Sequence, residues 1–413
     1  MNSVSVCKIP LERYIEVVGK KKIIEIESLA EKLSGQTVCH INSTSYGGGV
    51  SEILYRLVPL MQSVGIEAEW KVIKGSDEFF RITKTLHNGL QGMEISLTDE
   101  MKRTYLYTNE ANAKELGLKN YSFVIIHDPQ PAAIVSNYPH RHGKWLWRCH
   151  IDLSTPNKTA INFFSPFLSQ YDALIFSMAQ YVPDLLKKRY VSIIPPSIDP
   201  LSNKNKTLKE AEIFSILNRY DVNPENPIIT QVARFDPWKD PLGAIDVYRI
   251  VKRKMSKTQL LLIASMALDD PEGWIYYEKT ARYAESDYNI HLLTDLIGVR
   301  DKEVNAFQRA SHVALQMSIR EGFGLSVTEA LWKETPVVAR GVGGISLQVK
   351  DGETGFLVNN PQEAAEKVVY LLKHRDEAKK MGKRGKDHVL QNFLVTRHLK
   401  DYLKLFRKMQ VLD

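Results

Sequence analysis

The densest chemistry in the chain lies in Arg320-Glu321-Gly322-Phe323-Gly324-Leu325-Ser326-Val327-Thr328-Glu329, where two carboxylates stand eight positions apart across a glycine-broken turn that opens into a helix. Glycines let a backbone come close to a ligand, and the first amides of a helix point at an anion. Ionised carboxylates accept hydroxyl protons more strongly than neutral groups do. The segment therefore suits a ligand carrying both phosphates and hydroxyls, such as a sugar nucleotide. Glu321, on the turn, would accept from a sugar, and Glu329, further into the helix, from a ribose diol. Taken alone, the pattern also fits a common Glu-Gly-x-Gly turn followed by a solvated helix.

A second segment supplies the complementary charge. In Ala233-Arg234-Phe235-Asp236-Pro237-Trp238-Lys239-Asp240-Pro241, two cations bracket a turn just before a helix. That placement suits the grip of a diphosphate, whose charge grows as its bond to a sugar breaks. Surface salt bridges to Asp236 and Asp240 are the plainer alternative. Three stretches in the first half also concentrate polar residues after apolar runs. They are Tyr46-Gly47-Gly48-Gly49, His127-Asp128-Pro129-Gln130-Pro131, and Trp145 to Asp152 with Arg148, His150 and Asp152 toward its end. Asp128 and Gln130 can hold acceptor hydroxyls, or can simply belong to a proline-rich turn capped by Asp128. Outside a known motif, a buried histidine is more often a satisfied core group than a ligand contact.

These residues need elements to hold them. Thr37 to Ile41 is expected as a strand. Val50, Ile53, Leu54, Leu57, Val58 and Met61 then mark one helical face that Gly65 ends, and Ile66 to Ile73 resumes as a strand. Further strands are expected at 122–126, 145–151, 173–176 and 191–194, giving an open parallel α/β sheet. Pro195-Pro196, Pro200 and the polar run 202–206 are expected as a linker. Strands at 227–232, 259–264, 290–293, 312–317 and 336–339 alternate with helices and build a second doubly wound domain. The expected division is 1–200, an acceptor-side Rossmann-like domain with an amino-terminal extension; 207–390, a nucleotide-sugar domain; and 391–413, a helix returning to the first domain. Ligands of such sheets sit beyond the carboxyl ends of the strands, so two such domains would face one another across a cleft.

Arg234 and Lys239 so spaced, followed by Glu321-x7-Glu329 and preceded by an amino-terminal glycine loop, resemble the retaining GT-B glycosyltransferases of family GT4. The resemblance spans essentially the whole chain. It implies that Arg234 and Lys239 bind the donor diphosphate, Glu321 the donor sugar and Glu329 the ribose. Phe323, Gly324 and Leu325 would offer backbone amides, and Leu296 and Ile297 would flank the base. Gly47, Gly48 and Gly49 would approach the phosphates, although Val50-Ser51-Glu52 departs from the residues usual after that loop. His150 would touch the transferred sugar, with Asp128, Gln130, Arg148 and Asp152 on the acceptor side.

The strand at Trp145 to Asp152 and the His127 to Pro131 loop resemble most the branch of that family acting on trehalose. This implies a reversible, retaining glucosyl transfer from a nucleoside diphosphate glucose, UDP- or ADP-glucose, to free glucose, giving α,α-trehalose. A phosphorylase using inorganic phosphate, or a GT4 enzyme with another acceptor, would keep the same donor residues. A nucleotide-sugar isomerase and a non-catalytic binding protein are more distant readings. Glu321 and Glu329 do not resemble the paired carboxylates of a retaining glycosidase.

Composition sets the outer bounds. The chain has 413 residues, 44% hydrophobic and 25% charged, enough for two or three domains. No apolar tract is long enough to cross a bilayer and no signal-peptide core follows Lys20-Lys21-Lys22, so a cytoplasmic protein without a membrane partner is expected. Cys7, Cys39 and Cys149 are too scattered for a disulfide framework or a Cys-x-x-Cys metal site. The net charge of +7 comes without an arginine-rich or aromatic-interleaved motif, and nucleic acid is not expected as a partner. The basic stretch 373–386 reads as a solvated helix face. No tightly bound cofactor and no protein metal site are expected. Asp269-Asp270 is not an Asp-x-Asp motif, and a divalent cation such as Mg can accompany the diphosphate through phosphate oxygens. The charged amino-terminal extension leaves room for a homodimer.

Overall fold

The structure, a computed structural model, describes residues 3–46, 48–266 and 271–411. Two compact units divide the chain: Met1–Pro196 with Val395–Asp413, and Ser197–Leu394.

The first unit carries a six-stranded sheet of β1 (Thr37–Asn42), β2 (Glu67–Val72), β3 (Phe123–His127), β4 (Lys144–Arg148), β5 (Ala173–Phe176) and β6 (Val191–Ile193). They lie in the order β2-β1-β3-β4-β5-β6, with all pairings parallel. Strands β3 and β5 are buried along their whole length, as parallel strands covered on both faces must be. Helix Gly49–Ser63 buries the apolar face read from its spacing, including Leu54, Leu57, Val58 and Met61. Helix Val395–Val411 packs on helices Lys20–Glu31 and Gly49–Ser63. Its Phe406 stacks on Phe123 at 4.3 Å between ring centroids. Arg397 pins its start by donating to the carbonyls of Pro195 at 2.7 Å and Pro196 at 3.0 Å.

The second unit holds β7 (Ile228–Val232), β8 (Gln259–Ala264), β9 (Ile290–Thr294), β10 (Val313–Gln316), β11 (Val337–Arg340) and β12 (Gly355–Val358). Their order, β12-β11-β10-β7-β8-β9, is again wholly parallel. Chain order reverses between β7 and β10. In the first sheet the corresponding break lies between β1 and β3. Such switch points open a crevice beyond the carboxyl ends of the two strands, because their outgoing connections leave in opposite directions.

Several expectations need correcting. Strand β4 stops at Arg148 rather than Ile151, so His150 and Asp152 sit in the loop beyond it. His127 is the last residue of β3 rather than the first of a loop. Strand β12 was not anticipated, since Gly355-Phe-Leu-Val358 is a short apolar run whose length carries no period. The run 202–206 is anchored in the second unit rather than free. Its Asn203 and Lys206 carbonyls accept from Asn305 at 2.9 and 2.8 Å, and Asn205 accepts from Lys333 at 2.9 Å.

Candidate functional site

The switch point of the second unit gathers the chemistry. The loop after β7 carries Arg234 and a one-turn helix, Pro237–Lys239. Asp236 caps it by accepting from the Lys239 amide at 3.1 Å, and Asp240, at φ 46°, caps the next helix by accepting from the Gly243 amide at 2.9 Å. Two aspartates thus spend their side chains on the backbone, as residues before helices do. The loop after β10 lies against it, with the Trp238 carbonyl accepting from the Ile319 amide at 2.7 Å and Arg320 covering the Trp238 ring at 5.2 Å.

Lys239 meets Glu321 across these two loops, Nζ to Oε2 at 2.7 Å, with both side chains mostly buried at 16% and 11% exposure. The expected alternative for Lys239, a bridge to Asp240, is not formed, because Asp240 pairs with Arg340 at 2.9 Å instead. Arg234 does lie 3.2 Å from Asp236, yet its side chain is 61% exposed and reachable by a ligand. Beneath them Gln231, on β7, donates to the Lys239 carbonyl at 3.0 Å and accepts from the Met317 amide at 2.9 Å. Sequence reading passed over Gln231 and Arg340. Both lie at the ends of buried strands, and a polar residue there is the one signal that could have exposed them.

The glycine turn after β10 is held from below. Gly324 has φ 83° and caps the helix Leu325–Trp332. Gln348 donates to the Phe323 carbonyl and accepts from the Thr328 hydroxyl at 2.5 Å. Gly344 packs so closely that a Cβ there would meet the Phe323 Cα at 2.5 Å. Glu329 is only 4% exposed, with its Oε1 3.8 Å from the Lys204 ammonium. Burial pushes the neighbouring Lys333 down to about 7, opposed by the Glu329 charge. Leu296 and Ile297 stand half exposed after β9, ahead of Gly298 at φ 87°.

The first unit assembles a different set. Asp128 follows β3 at φ 63°, a conformation that costs a non-glycine residue energy, and its Oδ1 accepts from the His150 amide at 2.9 Å. Burial raises its carboxyl to about 7. Gln130 has a buried Oε1 without a partner, while its carbonyl accepts from Asn109 at 3.1 Å. Asp152 caps its own turn through the Ser154 amide at 2.8 Å. Arg148 departs from its expected acceptor contact. Because β4 is covered on both faces its side chain is fully buried, with one bond to Ser177 at 3.5 Å and Nε and Nη1 without hydrogen-bond partners. Tyr46 and Gly48 are exposed after β1, and Gly48 has φ 100°. Gly47 and the Asp269-Asp270 pair lie outside the described residues. Among the described residues no group of three or more His, Cys, Asp or Glu is placed to hold a metal, and no helix is long and apolar enough to cross a membrane.

Residues 40–183 match the family model described as the N-terminal domain of trehalose synthase, and residues 213–388 match that of glycosyl transferases group 1. The trehalose synthase of Pyrococcus horikoshii is 54% identical over 400 residues, covering 97% of this chain and 96% of that protein. That of Thermococcus litoralis is 56% identical over 396 residues, covering 96% of each. A trehalose phosphorylase of Pleurotus pulmonarius is 28% identical over 430 residues, which span 92% of this chain but 58% of that protein. Among solved structures, the E. coli trehalose-6-phosphate protein bound with UDP-2-fluoro glucose superposes with a TM-score of 0.72 at 13% identity. It covers 90% of this chain and 99% of that one, a likeness of fold. Two doubly wound parallel sheets, a carboxylate and a lysine joined at a switch point, and near full-length identity above one half together place the chain in the trehalose synthase family of GT-B glycosyltransferases.

Proposed function

We propose that this enzyme transfers glucose from a nucleoside diphosphate glucose to the anomeric hydroxyl of free glucose, forming α,α-trehalose reversibly and with retention. The observation that carries the reading is the Lys239 to Glu321 contact at 2.7 Å, with Arg234 on the same loop and a glycine-capped helix start beside it. A carboxylate for sugar hydroxyls and two cations for a diphosphate come together there, in a chain 54 to 56% identical to trehalose synthases. Donor binding exchanges the Lys239 to Glu321 contact for ligand contacts, the ammonium going to phosphate and the carboxylate to the glucose. Glu329 takes the ribose, and Leu296 and Ile297 flank the base. Gly48 and His150 serve the donor glucose, and Asp128, Gln130 and Asp152 serve the acceptor.

In the reaction the acceptor oxygen bonds to the donor anomeric carbon on the face that the phosphate leaves. The carbon to phosphate-oxygen bond breaks, and the acceptor proton passes to the departing phosphate. Arg234 and Lys239 stabilise the charge that accumulates there. A divalent cation such as Mg would come with the diphosphate rather than from a protein site, and would offset phosphate charge there.

The test is to incubate the protein with UDP-glucose or ADP-glucose and free glucose, and to assign the product linkage by NMR. α,α-Trehalose formed only with the nucleotide donor supports the proposal. Turnover of trehalose with inorganic phosphate and no nucleotide would assign a phosphorylase instead. A glucosyl group trapped on a carboxylate would overturn the same-face step.

A further inference from the structure

Three histidines of the first unit are joined ring to ring. His40, on β1, places Nδ1 2.9 Å from Nε2 of His127, and His127 places Nδ1 2.9 Å from Nε2 of His150. Ring centroids are 5.2 Å apart in both pairs, the second of them stacked. Each contact needs one proton, and a neutral imidazole carries one. A neutral row therefore has two self-consistent arrangements, with every proton on Nδ1 or every proton on Nε2.

The surroundings keep the row neutral. Burial, then the charge of the enclosed Arg148, holds His150 well below its ordinary range, and burial alone takes His40 down to about 3. Burial and then His150 act likewise on His127. Arg397 and His398 add no anion to the cluster, Tyr402 is pushed up by burial, and Asp128 meets the His150 amide rather than its ring.

The inner end selects between the two arrangements. His40 Nε2 is buried and has no hydrogen-bond partner. A proton on Nε2 would be a buried N–H with no acceptor in reach, whereas a proton on Nδ1 is donated to His127, so the bare nitrogen is assigned to Nε2. The choice propagates outward. His40 donates to His127, His127 donates from Nδ1 to His150 Nε2, and the His150 proton is left on Nδ1, which makes no hydrogen bond among the described residues.

We infer that His40 and His127 are positioning residues that lock His150 as the Nδ1–H tautomer, so that His150 offers a hydrogen-bond donor to a sugar oxygen. The sugar contact rests on the proposed function, whereas the tautomer lock does not.

The test uses the full chain labelled with 15N at histidine and long-range proton–nitrogen correlation, assigned with the variants His40→Leu and His127→Gln. His150 is expected to be protonated at Nδ1 and bare at Nε2 from about pH 6 to 8, the range in which a free histidine titrates. In His40→Leu the row loses its direction, His150 becomes a mixture of tautomers, and kcat/KM for glucosyl transfer falls about tenfold, the worth of one hydrogen bond. His127→Gln, whose amide can accept on one side and donate on the other, restores the single tautomer and most of the rate. His150 found protonated at Nε2 or at both nitrogens in the wild-type chain overturns the inference. So does a His40→Leu variant with the wild-type tautomer and rate. A wild-type chain with the Nδ1 tautomer but no trehalose product would retire the substrate reading and leave the lock standing.

Discussion

The two units solve the same architectural problem with opposite electrostatics. In the second, three cations at the switch point each have a counter-charge: Arg234 with Asp236, Lys239 with Glu321, Arg340 with Asp240. In the first, the corresponding place holds neutral rings in a row beside a buried guanidinium. Paired charges can be exchanged for those of a ligand without leaving a bare ion, which suits a site that takes up and releases a diphosphate. Neutral hydrogen-bonded rings cannot be exchanged in that way, but they hold one direction, which suits recognition of uncharged hydroxyls. On the proposed function, the second unit would bind by substitution and the first by orientation.

The largest expected effect falls on the second unit. Glu321→Ala should lower kcat by about 1000-fold, the cost of removing one group that acts at the transition state, while nucleotide binding survives. Steady-state kinetics beside calorimetric titration with the nucleoside diphosphate would check this, and retained turnover would remove Glu321 from the mechanism.

Acid should strike the first unit harder than the second, where burial lowers His291, His312 and His388 in the same sense. His40, His127, His150 and His398 are held neutral below the ordinary histidine value, so the unfolded chain binds more protons than the fold. Their stabilisation is complete above about pH 6.5 and is lost as pH falls toward the folded values, on the order of 1 kcal/mol per histidine per pH unit. Asp128, raised to about 7, acts in the opposite sense between its unfolded value and 7 and offsets one of the four. Denaturant midpoints measured on descending pH, with hydrogen exchange to locate the loss, should show the first unit opening first. Equal loss in both units would break the comparison.

Smaller effects probe the scaffold under the paired charges. Gly344→Ala has an unstrained backbone but would press a methyl against Phe323, and should destabilise by about 1 to 3 kcal/mol with weakened donor affinity. Thermal midpoints with and without nucleotide would separate the two losses. Arg234→Ala should change stability by less than about 1 kcal/mol, because the Arg234 side chain is largely exposed and the buried Asp236 keeps its bond to the Lys239 amide, yet weaken diphosphate binding. A large loss of fold stability would instead show that Arg234 supports the loop.

What could be read in advance follows from this contrast. Strands such as Ala173–Phe176 and Gln259–Ala264, and the face of helix Gly49–Ser63, were legible because buried parallel strands and amphipathic helices announce themselves locally. The cations and carboxylates of the second unit were legible as a set because they stand in two short loops. Gln231, Arg340, Gln348 and the His40 to His127 contact were not. Each acts through a partner brought near by strand pairing, and nothing in a neighbouring residue marks it. Arg148 misled for the same reason, since its reach depends on the strands beside it.

The returning helix has a consequence for the order of synthesis. Its His398 and Tyr402 pack beside the histidine row and its Phe406 covers Phe123, yet the whole of Ser197–Leu394 precedes it in the chain. A ribosome therefore delivers a finished second unit while the first still lacks one wall, and the rings of His40, His127 and His150 become dry only when the last helix emerges. The unit encoded first is the unit completed last.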